Sequence, residues 1–395
     1  MTEFKSWFQG PPSSGWECRT RIAFGNGLFG RLGEIVASMG IERTFVVVDA
    51  GLAESGVLNE ALALLRKADI EAEGFGQVQP NVPLKNVEQG VKAAGDQDWE
   101  MVVAIGGGSS IDFGKAISIL LTNPGDLRDY AGWYRVPGEP LPVVAIPTTA
   151  GTGAEVTGVV VVSDPESHAK FSLLTDKVIP KVAILDPLLT ISLPKQVTVA
   201  CGMDALVHAI ESFTNNFMNP VGSHLAGLSI KIISSNLERV VEHPEDKDRR
   251  YQMLLGSLLA GLAFKDKGLG LGHAMSYPLT GLFGMSHGIA NAILLPVVME
   301  YNSEYCLGEM AEVGTLLGSP SAEAQKKVKY AVGRIEELLH KLEIPTSISG
   351  WGASEKNIDD MVADTFREGR KPLLSSNPRK PNRSEVRELF RKLLT

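Results

Sequence analysis

An α/β domain over residues 1–190 followed by an all-helical domain over residues 191–395 is the architecture this sequence predicts, and three features predict it. Apolar, β-branched runs at Arg43–Asp49, Met101–Ile105 and Leu141–Ile146 have the unbroken hydrophobic character of strands buried on both faces of a parallel sheet. Between the first two lie stretches with helical spacing, at Asn59–Lys67 and Leu84–Ala94, as βαβ units require. Strand-type runs cease after the proline-punctuated segment Asp186–Pro194, and from Gln196 onward the apolar spacing is helical.

Trp16–Phe24 alternates enough to form a strand or hairpin arm, and Gly25-Asn26-Gly27-Leu28-Phe29-Gly30 follows it. This is a literal GxGxxG with an acid, Asp49, nineteen residues beyond its last glycine, the spacing of a dinucleotide fingerprint. Taken alone the pattern is a weak signal. A helix is expected over about residues 28–39. Asp49 ends the strand Arg43–Asp49, where a carboxylate accepts hydrogen bonds from adenosine ribose hydroxyls and repels a 2′-phosphate. A turn or helix-capping role before Gly51 is the competing reading. A short strand at Glu71–Phe75 and the loop Gln79–Pro83 precede the helix Leu84–Ala94.

Met101–Ile105 then runs straight into Gly106-Gly107-Gly108-Ser109-Ser110-Ile111-Asp112. Strand, triple glycine and helix is the order in which bare backbone N–H groups and a helix N-terminus face a phosphate. A plain tight turn needs only one glycine, so a bound pyrophosphate is expected here. Further strands are read at Val159–Ser163 and Val182–Leu185.

In the second half, helices are expected at Ser223–Val241, Asp248–Phe264, Ser321–Leu342 and Ser384–Leu394. The stretch Cys201–Asn291 carries the most chemistry. Asp204 and His208 are four residues apart, so on a helix they project from one face. His273 and His287 follow in surroundings rich in glycine and alanine and nearly free of charge, although the chain has only 7 histidines. One carboxylate and three imidazoles make a mixed O/N donor set suited to Fe2+, Zn2+ or a similar cation. The bland alternative is a surface Asp–His pair and unrelated histidines.

With these motifs on the page, the chain resembles the iron-dependent (group III) alcohol dehydrogenases along nearly its whole length. Their ligand pattern is an Asp, a His four residues on and two later His fourteen apart, which Asp204, His208, His273 and His287 meet. Their GGGSxxD motif is met by Gly106–Asp112, and their PTTxGTGSE by Pro147–Glu155 except that Ala154 replaces Ser. The resemblance implies a dinucleotide-binding N-terminal domain with a Rossmann-like sheet, a metal-binding helical domain of the kind shared with dehydroquinate synthase, and an active-site cleft between the two. It implies NAD(H) contacts from Asp49, Asn81, Gly107, Gly108, Ser109, Asp112 and Lys170, with Thr148, Thr149 and Thr152 toward the nicotinamide ribose and amide. It also implies that the Gly25–Gly30 turn merely joins an N-terminal arm to the first helix. His273, Tyr277 and Phe264 are the implied catalytic and pocket-lining residues, with Trp133 adding aromatic character. Two departures stand out. Val82 replaces the second Pro of a PNPT loop, and Tyr277 occupies the position where many members carry a His. That tyrosine either passes a proton through its hydroxyl or shapes the pocket.

The implied reaction is hydride transfer between an alcohol or aldehyde and NAD(H), with a divalent metal, Fe2+ or Zn2+, polarising the substrate oxygen. Dimers or larger homo-oligomers are implied as well. A net charge of −8 argues against nucleic acid or an anionic membrane as a partner. Three scattered cysteines suit a reducing cytoplasm. Met1–Gly10 lacks a long apolar core, so no signal peptide is expected, and no apolar run is long enough for a bilayer. Two other readings compete. A lyase of the dehydroquinate-synthase type would need clustered Lys or Arg beside the ligands, where only Lys267 is near in sequence. A non-catalytic, metal-stabilised assembly protein would keep the ligands without using the nucleotide loop.

Overall fold

The computed structural model describes residues 15–164 and 169–395. The reading of Met1–Gly10 lies outside them. The chain divides into two compact units. One comprises residues 18–193 with 244–254; the other comprises residues 194–243 and 255–395, together with 15–17.

Among the described residues, the first unit is built on nine strands: β1 (Arg21–Phe24), β2 (Arg43–Asp49), β3 (Glu71–Val78), β4 (Met101–Gly106), β5 (Gly132–Trp133), β6 (Val143–Pro147), β7 (Val159–Asp164), β8 (Ala169–Leu174) and β9 (Val182–Leu185). Six of them form a parallel sheet in the order β1-β9-β6-β4-β2-β3. Its helices are α1 (Leu32–Ala37), α2 (Ala50–Glu54), α3 (Val57–Lys67), α4 (Leu84–Ala94) and α5 (Gly108–Leu120). The β-branched runs explain the layering. Along β2, Phe45 and Val47 point into one core with Val102, Ala104, Phe113 and Ile117. Val46 and Val48 point into the opposite core with Leu32, Leu65, Val103 and Ile105. Each such side chain contributes about 1.5–3 kcal/mol on leaving water, which is why a strand covered on both faces reads as continuous valine.

β7 and β8 pair antiparallel and, with β5, make a second small sheet that the sequence did not disclose. The helix expected over residues 28–39 is a 3-10 turn at Leu28–Arg31 followed by α1.

The second unit is helical: α6 (Lys195–Thr214), α7 (Pro220–Glu242), the later part of α8 (Lys247–Lys267), α9 (Leu271–Phe283), α10 (His287–Asn302), α11 (Leu307–Leu316), α12 (Ala324–Lys341), α13 (Ile358–Thr365), α14 (Lys371–Ser376) and α15 (Arg383–Lys392). Helix α6 is buried on nearly every side, with Leu206, Val207 and Ile210 all within the core. Asn382 caps α15, and Glu385 closes the capping box. α9 and α10 contain Pro278 and Pro296, which hid them from a reading of helical periodicity. No described helix is long and apolar enough to cross a membrane.

Candidate cofactor loop and metal centre

In the first unit the connection from β2 leads to β3 on one side, while β4 lies on the other side of β2. The sheet therefore has a topological switch point at the carboxyl ends of β2 and β4, where open α/β sheets bind ligands. Asp49 ends β2 and the glycine run ends β4. Asp49 accepts the Leu52 N–H at 3.0 Å, so it caps α2 as the bland reading expected, while its other oxygen faces Ser110 Oγ at 3.4 Å.

The glycines have steric reasons inside the chain itself. Gly106 takes φ 142°, and a Cβ there would sit 2.3 Å from Ser110 Oγ. A Cβ on Gly108 would sit 2.7 Å from Thr152 Cγ2. The expectation that a turn alone would need only one glycine is thereby corrected. Thr149 and Thr152 lie directly against Gly107 and Gly108, and the buried Thr148 donates its N–H to the Gly106 carbonyl at 3.0 Å. The first-turn N–H groups of α5 are left without intrahelical acceptors beside them.

Three more expected residues meet here. Ser109 Oγ accepts the Asn81 N–H at 3.1 Å, and Lys170 Nζ donates to Asn81 Oδ1 at 2.9 Å. Val82 takes φ 48°, which a proline ring cannot adopt, so the departure from PNPT accompanies a different turn. Asp112, also expected among the cofactor residues, is bonded within the protein. It accepts the Val161 N–H at 3.0 Å and pairs with buried Lys115 at 3.4 Å, tying α5 to β7. Beneath them Glu155 is buried with Oε1 unpartnered, and burial pushes its carboxyl up to about 7 despite the nearby Lys115 charge. At Gly25–Gly30 the anion is the protein's own, because Asp186 accepts the Gly27 and Phe29 N–H groups at 3.0 Å each.

In the second unit α6 presents Asp204 and His208, α9 presents His273, and His287 opens α10. Ligand atoms of Asp204, His208 and His273 lie within 4.8 Å of one another, and all three residues are buried. His287 Nε2 is 3.9 Å from Asp204 Oδ1, and its ring stands 5.4 Å from that of His273. Gly288 permits this approach: a Cβ there would lie 2.1 Å from the Ala200 carbonyl oxygen on α6. Phe264 packs on the His208 ring at 4.6 Å.

Two residues that spacing did not reveal complete the group. Glu211, one turn beyond His208, accepts the His273 Nδ1–H at 2.6 Å and the Gly270 and Gly272 N–H groups at 2.9 and 2.6 Å. That bond leaves the His273 Nε2 lone pair free to face Asp204 and His208. Asn291 Nδ2 lies 2.8 Å from Asp204 Oδ1, 3.1 Å from His273 Nε2 and 3.2 Å from His287 Nε2. The Asn291 amide thus ties three of these side chains together, and the O/N donor set of Asp204, His208 and His273 fits a divalent cation. Burial alone would raise the Asp204 carboxyl, but His208, His287, His273 and the Asn291 amide hold it below the usual carboxylate range. For Glu211, His273 and the two glycine amides likewise outweigh burial. Lys267, the cation nearest the ligands in sequence, is occupied with Phe217 O at 2.8 Å and Ser223 Oγ at 3.0 Å.

Comparison with known proteins agrees with this geometry. The family model "Iron-containing alcohol dehydrogenase" matches residues 19–187, and that of the "Fe-containing alcohol dehydrogenase family, C-terminal" matches residues 198–394. The 1,3-propanediol dehydrogenase of Klebsiella pneumoniae is 36% identical over 372 residues, covering 93% of this chain and 95% of its own. A crystal structure of 1,3-propanediol oxidoreductase superposes with a TM-score of 0.92 at 35% identity, over 96% of this chain and 100% of that one. The sulfoacetaldehyde reductase of Bifidobacterium kashiwanohense in complex with NAD+ gives 0.88 at 29% identity, over 97% and 99%. Motifs, fold, donor set and coverage of both halves agree, and the chain belongs to the iron-containing alcohol dehydrogenase family.

Proposed function

We propose that this enzyme moves a hydride reversibly between a small alcohol or aldehyde and NAD(H), with the substrate oxygen placed at the Asp204, His208, His273 and His287 set. The observation that carries the reading is the clustering of buried ligand atoms of Asp204, His208 and His273 within 4.8 Å of one another. When bound, a divalent cation, Fe2+ or Zn2+, supplies Lewis-acid polarisation of the substrate oxygen, and the nicotinamide exchanges the hydride.

The chain's own groups do the positioning. Glu211 orients His273, Phe264 braces the His208 ring, and the first-turn amides of α5 with Ser109 receive the cofactor's pyrophosphate. Thr149 and Thr152, against the glycine run, serve the nicotinamide ribose and amide. Asp49 keeps its Oδ2 side turned toward Ser110 and favours ribose hydroxyls over a 2′-phosphate. Tyr277 follows His273 by one turn on α9 and shapes the substrate side of the centre. A cytoplasmic setting and a homodimeric or larger assembly complete the reading.

Elemental analysis of anaerobically purified protein, run beside NADH and NADPH oxidation with a panel of aldehydes, tests it. One iron or zinc per chain, turnover with NADH and loss of both in His273→Ala are expected. Protein that turns over without metal, or a fully active His273→Ala variant, would defeat it.

A further inference from the structure

We propose that Arg370 recognises an anionic group, a carboxylate, sulfonate or phosphonate, carried by the substrate at a short distance from its reacting carbon; this rests on the hydride-transfer reading above. Arg370 is only 5% exposed, and its Nε is buried without a hydrogen-bond partner. No described carboxylate lies within ion-pair distance of it. Asp364, the carboxylate whose charge acts on it, is already held by Arg367 Nε at 2.8 Å. Burial lowers the Arg370 pKa, yet a guanidinium keeps its proton at neutral pH.

A buried cation with no counter-charge is costly, and proteins tolerate one where a ligand supplies the missing anion. Among the described residues its partner is aromatic: the guanidinium carbon lies 3.4 Å from the centre of the Tyr277 ring. The Tyr277 ring lies against the guanidinium, and the Nε–H that has no partner among the described residues is a donor suited to a planar or tetrahedral oxyanion.

Its position makes this a substrate contact. Tyr277 stands four residues after His273 on α9, on the same face, and its ring centre is 6.5 Å from that of His287. Arg370 is thus linked to the candidate metal-ligand set through Tyr277, whose ring centre lies 3.4 Å from the guanidinium carbon and 6.5 Å from the His287 ring centre. An aldehyde with its oxygen at that set, and a few carbons between the carbonyl and an acidic terminus, would span the two. The sequence concealed this cation, because it enters from the 3-10 turn Glu368–Arg370, far along the chain from the ligand stretch.

The test compares succinic semialdehyde with butanal, its neutral counterpart, in metal-loaded wild type, Arg370→Met and Arg370→Lys with NADH. Wild type is expected to favour the charged aldehyde at least tenfold in kcat/KM. Arg370→Met should cut that ratio by roughly 10- to 100-fold, mainly through KM, and Arg370→Lys should retain part of it. An absent preference in wild type, or equal losses for both aldehydes in Arg370→Met with no recovery in Arg370→Lys, would overturn the proposal and make Arg370 a brace for Tyr277. Turnover of neither aldehyde would count against hydride transfer, so anion binding is read separately by calorimetric titration with succinate. Saturable binding that Arg370→Met weakens at least tenfold supports the anion site. Wild type that takes up no succinate rejects it.

Discussion

Glu211 meets the imidazole of His273 on the side away from the other ligands, with two backbone amides on the same carboxylate. Partners of this kind fix a ligand's tautomer and raise its basicity, and losing one typically costs 10–100-fold in metal affinity. Glu211→Gln should therefore bind Zn2+ roughly 10–100-fold more weakly in chelator competition, and the visible spectrum of the Co2+-loaded variant should shift. Unchanged affinity and spectrum would reduce Glu211 to packing. Asp49→Ser tests the proposed preference for NAD(H): loss of this carboxylate should raise kcat/KM for NADPH relative to NADH at least about tenfold. Glu155 carries a pH signature. Its folded pKa of about 7 lies above its ordinary range, so the folded state holds the proton more tightly than the unfolded chain. That contribution to stability is complete below the ordinary carboxyl range and is lost as pH rises to about 7, so denaturation midpoints should fall across that window. Glu155→Gln should flatten the fall, measured by urea titrations at several pH values; an unaltered profile would contradict the assignment.

Among the elements, the crossing of α6 with α10 governs whether His287 reaches Asp204. The helices touch where Gly288 faces the Ala200 carbonyl, with no room for a side chain. Gly288→Val should destabilise the protein by about 1–3 kcal/mol, the usual cost of overpacking. It should also lower metal content more than a mutation on the outer face of α10, both read from melting curves and elemental analysis. The helices that carry His273 and His287 were the least visible in the sequence. Pro278 and Pro296 interrupt them, and burial on most sides of α10 erases the apolar stripe that marks a surface helix. The parallel strands were plain, because a strand covered on both faces is apolar at every position. The β7–β8 hairpin was half-visible: Val159–Ser163 reads as a strand, but Lys170-Phe171-Ser172 in β8 mixes charge and polarity.

At the scale of the whole molecule, the proposed metal ligands come from three helices of the second unit, spread from Asp204 to His287. An unfolded chain does not assemble such a set, so a cation that binds the folded state stabilises it by mass action, about 2.7 kcal/mol at a hundred times Kd. Chelation should lower the melting temperature, and re-addition of Fe2+ or Zn2+ should restore it, as calorimetry would show. An identical melting curve with and without chelator would mean that the donors hold no cation.

The amino-acid order alone disclosed the parts with a local cause: valine-rich strands, the triple glycine between strand and helix, the four-residue step from Asp204 to His208, and the proline-marked end of the strand region. These follow from steric and hydrophobic preferences acting over a few residues. Packing across the core settled the remainder. It bonded Asp112 to Lys115 and Val161, gave the Gly27 amide to Asp186, set Glu211 on His273, and laid Arg370 over Tyr277. Each of those contacts joins faces whose meeting depends on how whole helices and strands stack, and no short-range preference along the chain encodes that.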